Sequence, residues 1–456
     1  MKYRISSGMR AMARHLQWVL PTALAVVTTA VSLQASATPI FARQTGQNCQ
    51  ACHVGGQFPE LTPYGRMFKL TGYTLGQRTK LPLAVMGVFS ATQEKNVGPA
   101  PSNGAFSFNT ASLFAGGKIT DNIGFLAQYT YNASSAGSSS FIGPLNGQAG
   151  SDNTDFRYAN RIVNNSTDLV YGVTLNNNPG VEDVWNSSPA WGYGYVPGSN
   201  NGAGPGFVSP ILNGGLSQQA VGAGAYVYWD KTVYAELSGY QTGNGVFSFL
   251  TQGHCSSCAG GNQVYVAGTA PYFRLALTHD WGNSNAMIGY TYFAPDVYEN
   301  AYDSGLYDSY RDNQVDFQYQ YILDPNTVTV EMSDINETVN YGSAGSVADI
   351  NSLFRAKVSY TYEAKYGGSL AYFSGTNSLN NATSPTIFGN GTSGWVPEIF
   401  WIPVQNVRIG YQYTFYNSVG ALDLNGTPNF YDTAQTLPIT KPGDYNTSFL
   451  YVWAAF

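Results

Sequence analysis

The chain has 456 residues, only 11% of them charged against 14% aromatic, and its acidic side chains outnumber its basic ones, 27 to 21. Soluble domains carry about 25% charged residues, so the composition argues against an ordinary globule. The acidic balance argues against nucleic acid as a partner, because phosphate binding needs basic surface to displace counterions.

Residues 1–37 read as a secretory signal. Lys2, Arg4, Arg10 and Arg14 precede an apolar stretch from about Trp18 to Val31, and Ala35-Ser36-Ala37 supplies the small residues of a cleavage site before Thr38. Removing it takes those four bases and no acid, so the mature chain is more acidic still. An acidic surface suits cations.

A dozen residues further on stands Cys49-Gln50-Ala51-Cys52-His53. Two thiols at this spacing can each form a thioether to a haem vinyl group, and the next imidazole reaches the iron. The pattern predicts one covalent haem c with His53 as a ligand. A small module at 38–78 follows, with one short helix: Thr62 caps it, Pro63 fits its first turn, Tyr64 to Leu70 continue it and Gly72 closes it. Tyr64, Met67 and Phe68 share a face at i, i+3 and i+4. Met67 is therefore either a sixth iron ligand or a packing residue beside an open or water-filled position. Arg66 and Lys69, on another face, reach either haem propionates or an acidic lumen.

Residues 79–456 read as a β-barrel. No run there approaches the roughly 20 apolar residues of a spanning helix, and in a bilayer a closed barrel is the remaining way to satisfy the backbone. Segments of alternating polarity recur near 81–92, 105–119, 123–132, 154–163, 168–176, 217–229, 231–241, 270–280, 285–294, 313–322, 326–334, 352–364, 366–374, 394–402, 405–416 and 446–456, about sixteen in all. In one of them Val315, Phe317, Tyr319 and Tyr321 oppose Gln314, Asp316, Gln318 and Gln320; Phe354, Ala356, Val358, Tyr360 and Tyr362 oppose Arg355, Lys357, Ser359, Thr361 and Glu363. The 34 tyrosines, many near strand ends, suit an aromatic girdle. Alternation fails at Leu126 and again at Tyr451 and Trp453, which stand where polar residues belong. Short turns alternate with long loops, which predicts both chain ends on the periplasmic side of a bacterial outer membrane. The final strand ends on Phe456, as insertion signals of such barrels do.

Outside the haem motif, Cys255 and Cys258 in the sequence His254-Cys255-Ser256-Ser257-Cys258 lack a following histidine; a local disulfide is expected there, the alternative being a metal site with His254, which would need further ligands that the sequence does not show. Asp296, Glu299, Asp303, Asp308 and Asp312 are read either as a landing patch for cations or as surface that keeps a loop hydrated. His279 is in phase with Phe273, Leu275 and Leu277 and is expected to face lipid.

The stretch from Phe41 to Cys49, through Cys52-His53, to Phe58-Pro59-Glu60-Leu61-Thr62-Pro63-Tyr64-Gly65-Arg66-Met67-Phe68-Lys69-Leu70-Thr71-Gly72-Tyr73 resembles the N-terminal cytochrome of outer-membrane cytochrome-porin fusions of iron-oxidising bacteria. The rest of the chain resembles them only in length and barrel architecture. The resemblance implies a monohaem cytochrome in or at the mouth of a roughly 16-stranded barrel. It would accept electrons from an extracellular donor such as Fe(II) and pass them to a soluble periplasmic cytochrome or copper protein, an Fe(II):cytochrome c oxidoreductase activity. Two other readings stay open: a diffusion porin with a haem plug or sensor, and a conduit run outward to an external acceptor.

Overall fold

The computed structural model describes residues 40–56, 59–95, 104–132, 148–187, 209–251, 264–299, 304–343, 348–378, 391–419 and 441–456. The expected signal, Asp303, and the His254, Cys255 and Cys258 group lie outside them.

Period-two alternation yields the strands β1 (Leu83–Glu94), β2 (Phe106–Lys118), β3 (Ile123–Asn132), β4 (Gln148–Asn164), β5 (Thr167–Asn176), β6 (Ala220–Trp229), β7 (Val233–Thr242), β8 (Ala270–Trp281) and β9 (Ser284–Phe293). After the short β10 (Asp296–Tyr298) come β11 (Tyr307–Leu323), β12 (Asn326–Asn340), β13 (Ala348–Tyr362), β14 (Tyr366–Asn377), β15 (Thr392–Val404), β16 (Val407–Ser418) and β17 (Thr447–Ala455). Each long strand pairs antiparallel with the next, and β1 pairs with both β2 and β17, which closes the sheet. The three-residue β10 only extends the wall beside β11, whose main partner on that side is β9. The result is a closed antiparallel barrel of sixteen long strands. Closure leaves no edge for lipid to meet. The seam is tied by Val85 N–H to the Phe456 carbonyl at 2.7 Å, with Phe456 N–H returning to the Val85 carbonyl at 2.8 Å.

Side chains divide as the pattern predicts. On β11, Asp312, Gln314, Asp316, Gln318 and Gln320 are buried toward the lumen, while Val315 and Phe317 are exposed on the outside. On β8, Phe273, Leu275 and Leu277 face outward, and His279 joins them, stacked on Trp281 at 5.4 Å. Outward tyrosines such as Tyr360, Tyr362 and Tyr366 gather beside the turn joining β13 to β14. Connections β2–β3, β4–β5, β6–β7, β8–β9, β11–β12, β13–β14 and β15–β16 are short turns at one end of the barrel; the start of β1 and the end of β17 lie at that same end.

Among the described residues three short α-helices precede the barrel and belong to the same compact unit: α1 (Ile40–Thr45), α2 (Cys49–Cys52) and α3 (Pro63–Leu70). They enter the lumen, where Leu70 is buried in a cluster with Val170, Trp185, Tyr226 and Tyr234. A second inward element is the loop after β5, which carries a single turn, α4 (Pro179–Glu182), with all four residues buried.

Candidate functional site

The cysteine pair is built by a single capped turn. Asn48 Oδ1 accepts the Ala51 N–H at 3.2 Å, starting α2, whose length sets Cys49 and Cys52 on one side of the helix. His53 follows at once, its N–H donating to the Cys49 carbonyl at 2.8 Å, and it forms an antiparallel bridge with Leu61. Thr62 locks the next helix onto this turn. Its Oγ1 caps α3 by accepting the Gly65 N–H at 3.1 Å, its hydroxyl donates to the Ala51 carbonyl at 2.5 Å, and its N–H donates to the Cys52 carbonyl at 2.9 Å. Gly65 permits the approach: a Cβ there would stand 2.2 Å from the Cys52 carbonyl oxygen.

Cys49, Cys52 and His53 border a cavity of about 650 Å³ between the helices and the barrel wall. The wall bordering them is largely apolar, with Ala84, Met86 and Val88 of β1, Phe114 of β2, Leu126 of β3 and Trp453 of β17, beside polar Thr110, Gln128, Thr130 and Asp152. From the helical side, Phe41, Phe68 and Tyr73 close it; Phe41 stacks on Tyr73 at 5.4 Å and meets Phe68 edge-on at 4.9 Å. Leu126, Tyr451 and Trp453, where the alternation of polarity fails, all line this cavity. Two thiols, an imidazole and an apolar aromatic-lined wall make a donor set and a chamber that fit a covalently attached haem. Burial, then the neighbouring Cys49, pushes the Cys52 thiol up to about 11.

Buried polar contacts fix the helices to the lumen. The Arg66 guanidinium donates to the Leu61 carbonyl at 2.8 Å, to Gln318 at 3.0 Å and to Gln320 at 3.1 Å, and also to Asn285. Burial lowers its pKa to about 10. Lys69 donates to the carbonyls of Val181 and Asp183 in the inward loop, and burial, aided by Arg157, lowers it to about 8. Tyr73 donates to Asp155 at 2.6 Å. Glu60 accepts from Lys357 of β13 at 2.5 Å. Burial alone would raise the Glu60 carboxyl, but the Lys357 ammonium outweighs it and holds the group below its ordinary value. Arg66 is thus held on the lumen wall, while Lys69 reaches the inward loop and also borders the cavity.

Met67 is half-buried against the cluster of Leu70, Trp185 and Tyr234 and does not border the cavity, whereas Phe68 does. The described acidic residues near 300 are engaged by neighbours, with Glu299 and Asp308 beside one another. Asp296 pairs with Arg311 at 2.9 Å, Glu299 and Asp308 accept from backbone at Ser343 and Gly342, and Asp312 is buried, accepting the Leu212 N–H at 2.7 Å. Among the described residues no group of three or more His, Cys, Asp or Glu could hold a metal ion.

Sequence reasoning missed the inward loop. Arg157 donates to the Glu182 carbonyl at 2.7 Å, and Arg274 binds Asp316 at 2.9 Å and Asp183 at 3.4 Å, so two wall arginines hold it inside. The available signals were the length of the 177–216 connection and its Asn176-Asn177-Asn178-Pro179 start, a strong turn and cap sequence.

A closed barrel with a polar lumen, an apolar exterior and an aromatic fringe is a porin-like barrel of the outer-membrane type. No family model and no curated protein matches the chain. Among solved structures it is similar to the outer-membrane protein OmpT of Vibrio cholerae at 9% identity, covering 82% of this chain and 96% of that one with a TM-score of 0.40. The outer-membrane channel DcaP of Acinetobacter baumannii gives 11% identity, 82% and 96% coverage and a TM-score of 0.43. OmpF of Salmonella typhi gives 10% identity, 82% and 97% coverage and 0.42.

Proposed function

We propose that this chain is an electron-transfer protein of the bacterial outer membrane, in which a single haem c is held inside a porin-like barrel. The observation that carries the reading is the coincidence of Cys49, Cys52 and His53 with a largely apolar-lined cavity inside the barrel. Cys49 and Cys52 would hold the haem and His53 would bind its iron, which supplies reversible one-electron chemistry when bound. The chain's own work is placement and insulation. α2 and the bridge to Leu61 hold the His53 backbone at the cavity, which Phe41, Phe68 and Trp453 line with apolar surface. A low-polarity setting disfavours the extra charge of ferric iron and raises the reduction potential, which suits accepting electrons from a weak donor such as extracellular Fe(II). The short-turn end of the barrel would face the periplasm, where a soluble cytochrome or copper protein would take the electron.

The test uses purified full-length protein in vesicles, with ferrous iron outside and an oxidised soluble cytochrome c trapped inside. Reduction of the trapped cytochrome, abolished by Cys49→Ala, is the expected result. A barrel without haem, or with haem that ferrous iron cannot reduce, would refute it. The width of the barrel favours a second reading, since sixteen strands enclose an aqueous passage when unplugged. In that case the helices are a plug on a diffusion channel, and solute uptake rather than cytochrome reduction would respond to their removal.

A further inference from the structure

We infer that the iron's sixth ligand comes from the barrel wall, as the thioether of Met86. The inference rests on the haem reading above. Met86 stands between buried Ala84 and Val88 on the lumen-facing side of β1 and borders the cavity with Cys49, Cys52 and His53. The other lining residues with iron-binding atoms are already engaged. Lys69 donates to the Val181 and Asp183 carbonyls. Tyr73 donates to Asp155 at 2.6 Å and Tyr451 to Glu398 at 2.5 Å. Asp183 accepts from Trp185 and Ser187 N–H groups, and Asp152 accepts the Thr130 hydroxyl at 2.6 Å. Met86 is the one thioether among the lining residues, whereas Met67 packs against Leu70 and Trp185.

The consequence is structural as well as electronic. A thioether opposite an imidazole favours ferrous iron and raises the potential. Drawn from β1, it also makes the haem a cross-link between the N-terminal helices and the barrel. A change in the wall would then register directly in the iron's spectrum.

The experiment compares the purified full-length protein with Met86→Leu, Met86→His and Met67→Leu. Covalent haem per chain is measured first, by pyridine haemochrome. The ferric absorption spectrum and the reduction potential follow. The wild type should show the far-red charge-transfer band of thioether-ligated ferric haem. Met86→Leu should lose the band and bind cyanide faster, Met86→His should become low-spin without it and fall in potential, and Met67→Leu should leave it intact. A band that survives in Met86→Leu but vanishes in Met67→Leu overturns the assignment in favour of Met67. A wild-type haem without the band overturns any thioether ligand. Absence of covalent haem from the wild type overturns the haem reading and this ligand together.

Discussion

Lys357→Met removes the one ammonium that faces Glu60, and the structure sets the size of the effect. The Glu60 and Lys357 side chains are 8% and 11% exposed, and Glu331 lies 3.9 Å from the same ammonium. The variant therefore leaves two buried carboxylates facing each other. Breaking a buried pair by deleting one partner costs about 3–5 kcal/mol. At 1.4 kcal/mol per tenfold, the undocked population of the N-terminal helices should rise by roughly 10² to 10³·⁵. Glu60→Gln should cost less, because Lys357 keeps Glu331. Limited proteolysis of the detergent-solubilised protein reads undocking, and single-channel conductance reads the opened lumen. Heat-modifiable migration on gels checks that the barrel itself persists. An unchanged cleavage rate together with unchanged conductance in Lys357→Met, with an intact barrel, would show that this contact does not hold the plug.

The same pair sets a pH dependence: the Glu60 carboxyl is held below its ordinary value, so its contribution is full above the unfolded pKa of about 4.3 and is lost as pH falls through the lower folded value. Proteolytic release of the helices should accelerate there. Lys69 works in the opposite direction, its pKa lowered to about 8, so docking should strengthen as pH rises from 8 toward the ordinary lysine value of about 10.4; Lys69→Met should flatten that rise. Gly65→Ala should lower haem content and destabilise the helices by about 1–3 kcal/mol, because its Cβ would meet the Cys52 carbonyl at 2.2 Å; equal haem loading and thermal stability would contradict the packing. External labelling of intact cells should reach cysteines placed in the loop near 417–445 and spare those in the turns near 120 and 164.

Much of the barrel was legible because strand alternation is a local property of the sequence. All sixteen expected segments appear as strands, several extended by a few residues; in β12 the extension turns polar Asn336, Thr338 and Asn340 outward, so the apolar outer face that the pattern was read from has already ended. The Thr62 cap, Pro63 and Gly72 also fall where the sequence places them, since capping depends on a few neighbouring residues. Long-range contacts were not legible. Met67 and Phe68 share a helix face by spacing, yet only tertiary packing decides that one meets Trp185 and its neighbours while the other borders the cavity. Leu126, Tyr451 and Trp453 are the instructive cases. Read singly they weaken the barrel pattern, but together they mark the part of the wall that faces the cysteines.

The most direct test of the central claim is the intact mass of the mature protein, measured on the wild type and on Cys49→Ser with Cys52→Ser. The wild-type mass should exceed that of the polypeptide from Thr38 to Phe456 by one haem that acid acetone does not extract, and the double variant should have the bare polypeptide mass with its barrel still formed. A wild-type chain at the bare polypeptide mass, from cells competent to attach haem c, would contradict that claim.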